Sequence, residues 1–282
     1  MSFNTIHQCI AITGSILAFT TLTANAGAMG QVQHNDTQQF YLSAFGGGAA
    51  STKPRISQYG TAYYSEAQGG PLAVNAFGQT NSRSVGMVGG HVGYQWANLF
   101  LNQVDSQWGI TPAIELEGYY LGKNKLKADD INNDTSRLPE HDFRVTYPTK
   151  TGVFLANAVV NLNLPNQNPF HPYVGVGIGA AVMSVSNATS TQVAPPEAGI
   201  NHYNSNTNDT DATFAAQVKA GLDFSLNQNI SIFAEYRWLY LCDTHYTFGS
   251  TVYPNHVPTS NWLVKLDSQK YNMGAVGIRY SI

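Results

Sequence analysis

Charged side chains at even spacings within apolar segments are the residues of this chain best suited to chemistry. Glu115 and Glu117 are two residues apart, and Glu235 and Arg237 repeat that spacing. Residues separated by an even number lie on the same face of a β-strand, so each pair is expected to point to one side. The charged residues that share this face are Glu115, Glu117, Lys219, Asp223, Glu235, Arg237 and Arg279.

Two interpretations of this charged face arise if the strands close into a narrow barrel. An eight-stranded barrel is just wide enough for side chains to fill it, and a buried ion without a partner is very costly. The charges are therefore expected to pair in a network that blocks the lumen. The alternative is a small pore lined by the same groups, because Gly175, Gly177 and Gly179 leave room for water on that face.

The segment after residue 242 contains the few residues that could form a catalytic or metal site. Asp243, His245 and Ser250 have the types needed for a nucleophile and its base, but catalysis requires them within hydrogen-bond reach. Asp243, His245 and His256 could ligate a metal, but they lack the paired spacing of strong metal motifs. We therefore predict no catalytic residue, no metal ligand, no cofactor and no enzymatic activity.

Residues 213–240 alternate between two kinds of side chain, with a short interruption at 227–229. One parity includes Val218 and Leu222, whereas the other includes Lys219, Gly221 and Asp223. This period of two predicts a hairpin of two-faced strands. An outer-membrane barrel turns the apolar face of such strands outward, which would leave the charged face to line the interior.

The composition favours a membrane protein whose spans are strands. Hydrophobic residues make up 43% of the 282 residues and charged residues only 11%, whereas about 25% is usual in soluble domains. After the N-terminal segment, no apolar run is long enough for a transmembrane helix. The net charge of −3 indicates no surface for a polyanion, so no nucleic-acid partner is predicted.

The N-terminus predicts a secretory signal peptide. An apolar stretch from about Ile10 to Thr23 precedes Ala24-Asn25-Ala26, a small-residue cleavage pattern. The alternative is an N-terminal membrane anchor, but the stretch is shorter than the ~20 apolar residues that a span needs. The predicted domains are therefore a signal peptide at 1–26, with cleavage after Ala26, and an outer-membrane β-barrel at 27–282.

Eight alternating segments predict eight strands, and their connections are alternately short and long. Short periplasmic turns and long extracellular loops produce this arrangement in outer-membrane barrels. The predicted fold is all-β: an eight-stranded antiparallel up-and-down transmembrane β-barrel with four long extracellular loops. The segments are about Gln39 to Ala49, Arg83 to Trp96, Trp108 to Leu121, Thr149 to Leu164, Pro172 to Ser186, Ala212 to Leu226, Ile230 to Leu241 and Gln269 to Ile282. The long connections are Ala50 to Ser82, Gly122 to Pro148, Asn187 to Asp211 and Cys242 to Ser268.

Aromatic residues gather near the ends of the apolar faces, as amphipathic rings do at both membrane interfaces. They predict one girdle at the periplasmic side and one at the outer side. The periplasmic residues are Tyr94, Trp96, Trp108, Phe224 and Tyr280, and the outer residues are Tyr120, Phe214, Trp238 and Tyr240.

Several strand sequences resemble the bacterial surface-antigen family, within the wider opacity and OmpA-type group of eight-stranded barrels. The resemblance lies in Ala113-Ile-Glu-Leu-Glu-Gly-Tyr119, Pro172-Tyr-Val-Gly-Val-Gly-Ile-Gly179 and Val218-Lys-Ala-Gly-Leu-Asp-Phe224. The last ten residues, from Met273, resemble the C-terminal assembly signal of outer-membrane proteins, although the chain ends in Ile282 where Phe is usual. The resemblance covers the strands and none of the long loops.

The resemblance implies a surface protein of the bacterial outer membrane, with a structural and host-contact role of the antigen or adhesin kind displayed on the extracellular loops. The expected partners are outer-membrane lipid, the barrel-assembly machinery through the C-terminal strand, and a host surface molecule. The alternative is a narrow porin-like channel for small solutes. The loops themselves are read either as binding surfaces or as hydrophilic spacers.

Overall fold

The computed structural model describes residues 38–97, 99–100, 109–133, 141–164 and 169–282, which form fourteen strands with antiparallel pairing. No helix in these ranges is long and apolar enough to cross a membrane. The predicted signal peptide, 1–26, lies outside them. The strands are β1 (Gln39–Ser51), β2 (Arg55–Ala62), β3 (Leu72–Gln79), β4 (Ser84–Gln95), β5 (Leu99–Phe100), β6 (Gly109–Asn133), β7 (Asp142–Asn163), β8 (Phe170–Val185), β9 (Thr189–Ala194), β10 (Asp209–Ser225), β11 (Ile230–Leu241), β12 (Thr244–Phe248), β13 (Trp262–Leu266) and β14 (Gln269–Ser281).

Eight of these strands coincide with the eight predicted segments. The predicted all-β antiparallel class is thereby confirmed, with β11 matching its predicted bounds and the others differing at their ends. Each of the eight pairs with two others, and the pairings run from β1 through β4, β6, β7, β8, β10, β11 and β14 back to β1. We call these eight strands the ring.

Each ring strand presents apolar side chains outward and polar or aromatic side chains inward. Many outward residues are exposed even though they are large and apolar, and the eight named next are 44–67% exposed. One from each ring strand, in chain order, is Leu42, Val92, Leu116, Phe154, Val174, Val218, Ile232 and Val276. Their buried counterparts, in the same order, are Tyr41, His91, Glu115, Asn157, Tyr173, Lys219, Glu235 and Arg279. This polarity is the reverse of a soluble sheet and is that of a lipid-facing one.

The four long connections, which we expected to be loops, contain five strands and extensions of two more. β2 and β3 lie in the first connection, β9 in the third, and β12 and β13 in the fourth, while β6 and β7 extend through the second. The expectation of four long loops is therefore wrong in this respect. The strands form because the connections carry their own period of two, as in Leu72, Val74 and Ala76, which are buried with exposed residues between them. We call residues 52–83, 122–133, 141–149, 186–208 and 242–268 the head.

The head has an apolar core, so its polarity is opposite to that of the ring. In β6 the buried residues are odd-numbered up to Leu121, even-numbered from Asn124 to Ala128, and odd-numbered again at Ile131 and Asn133. The pairing of β6 with β7 shifts register between Leu121 and Asn124 and again between Ala128 and Ile131, while β7 continues without a break. Each extra residue in a β-bulge reverses which side chains of β6 face inward. The apolar core of the head includes Ile56, Val74, Leu126, Ala128, Ile131, Phe143, Val145, Tyr147, Tyr203, Tyr246, Phe248, Trp262, Val264 and Leu266.

A buried polar seam fixes the parts of the head to one another. The Gln58 side-chain oxygen of β2 accepts hydrogen bonds from the hydroxyls of Tyr203 (2.5 Å) and Ser190 (3.0 Å). The Tyr203 and Tyr147 hydroxyl oxygens lie 2.7 Å apart. Burial raises the pKa values of Tyr147 and Tyr203, so both hydroxyls stay protonated and can donate. The seam joins β2, β7, β9 and the segment after β9 into one unit.

Close approach of ring strands requires glycine at Gly179 but not at Gly274. A Cβ at Gly179 would lie 2.0 Å from the carbonyl oxygen of Phe154, whereas nothing lies within 4 Å of a Cβ at Gly274. We expect Gly179→Ala to lower the free energy of unfolding by about 1–3 kcal/mol, the usual cost of overpacking. Gly274→Ala is the matched control and should be neutral or slightly stabilising. Urea unfolding of both variants in detergent micelles measures the difference, and equal stability would contradict the packing of β7 against β8.

Candidate functional site

The inward charges of three ring strands converge into one cluster. β6 supplies Glu115 and Glu117, and β10 supplies Lys219, whose Nζ bonds to Glu115 and lies 3.3 Å from Oε2 of Glu117. β11 supplies Glu235 and Arg237; Nη1 of Arg237 lies 2.5 Å from Oε1 of Glu117, and its Nε lies 2.9 Å from Oε1 of Glu235. Two cations thus hold three carboxylates in a continuous chain of ion pairs.

Strand register brings the two cations together. Lys219 and Arg237 are directly opposite each other in the β10–β11 pair, so their side chains leave the same face at the same level. Like charges this close would repel, and Glu117 lies between them as a shared partner. The Arg237 guanidinium also lies 4.0 Å from the centre of the Phe45 ring, a cation–π contact that favours the charge in a site without water.

Neutral donors complete the hydrogen bonding of the carboxylates. The Tyr41 hydroxyl donates to Glu115 (2.9 Å), the Tyr173 hydroxyl to Glu235 (3.0 Å) and the Asn157 amide to Glu117 (3.1 Å). A buried ion pair offsets its desolvation only when such additional hydrogen bonds are present. The cluster therefore satisfies most of the conditions for stable buried charge.

The structure does not place all seven predicted residues in one group. Arg279 and Asp223 form a separate pair, with Nη1 2.9 Å from Oδ2, near the end of the ring opposite the head. This pair lines a polar vestibule with Gln39, Gln95, Asn161 and His171. Asp223 is opposite Phe233 rather than a charged residue in the β10–β11 register, which is why it takes its partner from β14 instead.

The central cluster is buried within the ring. The side chains of Glu115, Glu117, Lys219, Glu235 and Arg237 are at most 1% exposed. Groups lining an open water path would be exposed to water along it. At this level, the interior is filled by side chains, as expected for a ring of eight strands.

The predicted girdle residues lie on the outer surface where the structure describes them; Trp108 lies outside the described residues. Tyr94 contacts Trp96 with ring centres 5.3 Å apart, and Trp238 stacks on Tyr240 at 6.1 Å. Phe224 packs against Phe170, outside the predicted set. Tyr120 and Tyr280 are exposed, and Phe214 is half-buried.

The residues considered for catalysis separate in the structure. Asp243 pairs with Lys265 (2.8 Å), and the backbone N–H of His245 donates to Asp211. The Ser250 hydroxyl lies 3.3 Å from that of Ser205. These contacts assign the three residues to different neighbours, and the prediction of no enzymatic activity stays a prediction.

His256, considered with Asp243 and His245 as a metal ligand, instead meets two residues that the sequence did not single out. Its Nε2 lies 3.3 Å from Oε2 of Glu197, and Nε2 of His202 lies 3.4 Å from the same oxygen. A hydrogen bond with His202 holds the pKa of Glu197 below its ordinary value, against the effect of partial burial. Sequence separation conceals this group, because the chain between residues 202 and 256 first passes through β10, β11 and β12.

Comparison with known proteins finds a family model that is similar to the C-terminal part of the chain. Residues 153–281 match the model of the family described as Surface antigen. No match was found among curated proteins.

Solved outer-membrane proteins resemble the chain weakly. Neisserial surface protein A is 14% identical, with 86% of this chain and 96% of that chain covered and a TM-score of 0.34. The outer membrane protease OmpT from Escherichia coli is 8% identical, with 86% and 97% covered and a TM-score of 0.40. The outer membrane protein OprG from Pseudomonas aeruginosa is 13% identical, with 89% and 99% covered and a TM-score of 0.38.

The family match confirms the resemblance to the bacterial surface-antigen family that the strand sequences predict. Together with the outward apolar residues of every ring strand, it confirms the predicted location, the bacterial outer membrane.

Removing one cation from the central cluster should be far more damaging than removing a surface cation. We expect Lys219→Met to lower the free energy of unfolding by about 3–5 kcal/mol, because Glu115 keeps a buried charge without its partner. Adding Glu115→Gln to Lys219→Met should recover part of that loss. Urea unfolding in lipid measures both, with Lys270→Met at the exposed Lys270 as a control that should change by less than about 0.5 kcal/mol. Strictly additive effects of the two cluster substitutions would contradict their coupling.

Proposed function

We propose, from the surface-antigen match, that the chain is a surface-contact protein in which a closed eight-stranded barrel anchors a folded head outside the membrane. The ring strands would be the transmembrane barrel, and the head would be the part that meets other surfaces. The observation that carries this proposal is the burial of the central cluster. The charged side chains that could line a pore form ion pairs with one another and are at most 1% exposed to water.

The pairing of the ring supports the barrel. Each ring strand pairs on both sides, and only a sheet without free edges satisfies its backbone in hydrocarbon. Outward apolar residues on every ring strand would meet lipid, which is the first expected partner. The C-terminal positions Val276, Ile278, Tyr280 and Ile282 are all exposed and would present the alternate apolar pattern that the barrel-assembly machinery recognises.

The domain division that follows is a signal peptide at 1–26 and the barrel with its head at 27–282. All four connections that build the head leave the same end of the ring, because they follow β1, β6, β8 and β11. The opposite end has the short connections, such as 226–229 between β10 and β11. In an outer-membrane barrel, the end with long connections faces outward.

An apolar patch on the outer face of the head supports a contact role. Phe77 and Leu263 are 51% and 54% exposed, and Tyr59 joins them, being opposite Leu263 in register and 5.7 Å from Phe77 between ring centres. Exposed apolar groups that cluster are typical of interaction sites, whereas single ones are not. The patch would bind an apolar region of a host surface molecule.

The alternative is a narrow porin-like channel for small solutes. The polar vestibule at Asp223 and Arg279 is the observation that favours it, because it admits water into one end of the ring. The central cluster would have to open before solutes could pass beyond that vestibule.

Introducing an arginine on the lipid-facing surface of the ring should destabilise the protein more than introducing one on the water-exposed surface of the head. Val176 lies on the outward face of β8, and Val252 is an exposed valine of the head. Val176→Arg should lower the free energy of unfolding in lipid by about 2–4 kcal/mol because the charge meets hydrocarbon. Val252→Arg makes the same chemical change in water and should alter it by less than about 0.5 kcal/mol. Equal effects of the two substitutions would show that the proposed membrane boundary is misplaced.

Adhesion of cells that express the chain tests the contact role. Phe77→Ser combined with Leu263→Ser removes two of the three apolar side chains of the patch while leaving the buried core residues of the head unchanged, and we expect at least a tenfold loss of attachment to host cells or matrix. Val252→Ser, away from the patch, is the control and should retain attachment. Surface display is measured in parallel with an antibody to the head. Unchanged attachment at equal display would exclude this patch as the contact surface.

A further inference from the structure

Three ligand-type side chains converge at the outer part of the head. Glu197 follows β9, His202 lies in the turn segment after it, and His256 lies between β12 and β13. Oε2 of Glu197 is 3.4 Å from Nε2 of His202 and 3.3 Å from Nε2 of His256, and the three ligand atoms lie within 4.8 Å of one another. A tetrahedral ion with bonds of ~2.0–2.1 Å needs ligand atoms roughly 3.3–3.4 Å apart.

Backbone hydrogen bonds select the ring nitrogen that each histidine presents. Nδ1 of His202 lies 3.1 Å from the carbonyl oxygen of Ser190, and Nδ1 of His256 lies 2.6 Å from that of Val257. A carbonyl oxygen only accepts, so each Nδ1 carries the proton and donates it. Nε2 is then the nitrogen of each ring that faces the Glu197 carboxylate, and it can bind a cation once it carries no proton. The Nδ1–H···O=C bond is the usual support of a metal-bound histidine.

The surrounding structure holds the two histidine segments in place. Thr251 donates through its hydroxyl to the carbonyl oxygen of His202 (2.9 Å) and accepts from the indole N–H of Trp262 (3.2 Å). The backbone N–H of Asn201 donates to the Tyr253 hydroxyl (3.1 Å). Since Trp262 is fully buried in the head core, these contacts fix the two segments relative to each other before any ion arrives.

One side of the group is open to solvent. Glu197 and His256 line a shallow cleft with Ile200, Tyr253, Pro254 and Asn255. Three protein ligands beside an open cleft leave a coordination position for water or another ligand, which distinguishes this arrangement from closed structural metal sites with four protein ligands.

A second convergence of such groups, at His91, Glu115 and Glu117, is a poorer candidate. Lys219 already bonds to Glu115 there, and Arg237 lies against Glu117. An ion would have to displace these cations from a site without access to water. Among the described residues, no lysine or arginine pairs with Glu197 at the head group, and its carboxylate contacts only the two histidines.

We propose that Glu197, His202 and His256 bind one divalent transition-metal ion of the Zn²⁺ class, with a fourth position open to the cleft. Imidazole nitrogens and a carboxylate oxygen suit Zn²⁺ and its Co²⁺ substitute rather than Mg²⁺ or Ca²⁺. The ion would join the segment after β9 to the segment between β12 and β13. This proposal contradicts the expectation of no metal ligand. It requires the folded head but not the contact role proposed for its apolar patch.

Titration of the folded full-length chain with Co²⁺ tests the site directly. The protein is prepared in detergent micelles without a histidine tag, stripped with a chelator and titrated while visible absorption is recorded. We expect one equivalent to bind with the intense absorption of four-coordinate Co²⁺, and Zn²⁺ to abolish that signal by displacement. Glu197→Gln and His256→Gln should each weaken binding by at least about tenfold. His245→Gln, at an exposed histidine of β12, should bind like the parent.

A second measurement uses only the parent chain, so its result does not depend on whether the variants fold. Zn²⁺ should raise the unfolding temperature of the parent, because a ligand that binds only the folded state stabilises it, and the chelator should reverse the shift. No saturable Co²⁺ signal in the parent would overturn the proposal and leave a plain ion pair between Glu197 and its histidines. Equal binding by the parent and by folded His256→Gln would also overturn it, since the ion would then lie elsewhere.

Discussion

The pairing of the backbone constrains everything else in this molecule. A sheet in hydrocarbon must satisfy every N–H and C=O internally, because lipid offers no partner. The eight ring strands meet that requirement by pairing on both sides. Once the backbone is satisfied in this way, the outward side chains are free to be apolar, and the polar side chains that the strands carry are directed inward. The interior then has to pair those charges itself, and Lys219 and Arg237 each form ion pairs that link Glu115, Glu117 and Glu235.

Extra residues in β6 let that strand serve a second environment. The register shift between Leu121 and Asn124 in β6 turns a strand that buries Glu115 and Glu117 into one that buries Leu126 and Ala128. Beyond that point the sheet follows the ordinary rule of soluble proteins, with apolar side chains inside and polar ones outside. The proposed anchor and the proposed contact surface are therefore parts of one sheet.

Much of the ring could be predicted because its signal is local. The alternation around Val218, Lys219 and Asp223 assigns each side chain to a face without knowledge of any neighbour. The sequence did not predict the contacts that depend on how several strands pair. Asp223 takes Arg279 rather than a residue of its own hairpin as its partner, a choice set by three-strand register. The bulge in β6 leaves no mark in residue type, and the meeting of His202 with His256 depends on how the whole head packs.

The account depends most on the claim that the central cluster closes the ring, and the conductance of single folded molecules in planar lipid bilayers tests this most directly. Side chains that are at most 1% exposed leave no path for hydrated ions, so the parent chain should show no steady conductance at moderate voltage. A steady, reproducible open level in the parent would contradict the closed interior. It would favour the porin-like channel, in which the lumen rather than the head performs the function.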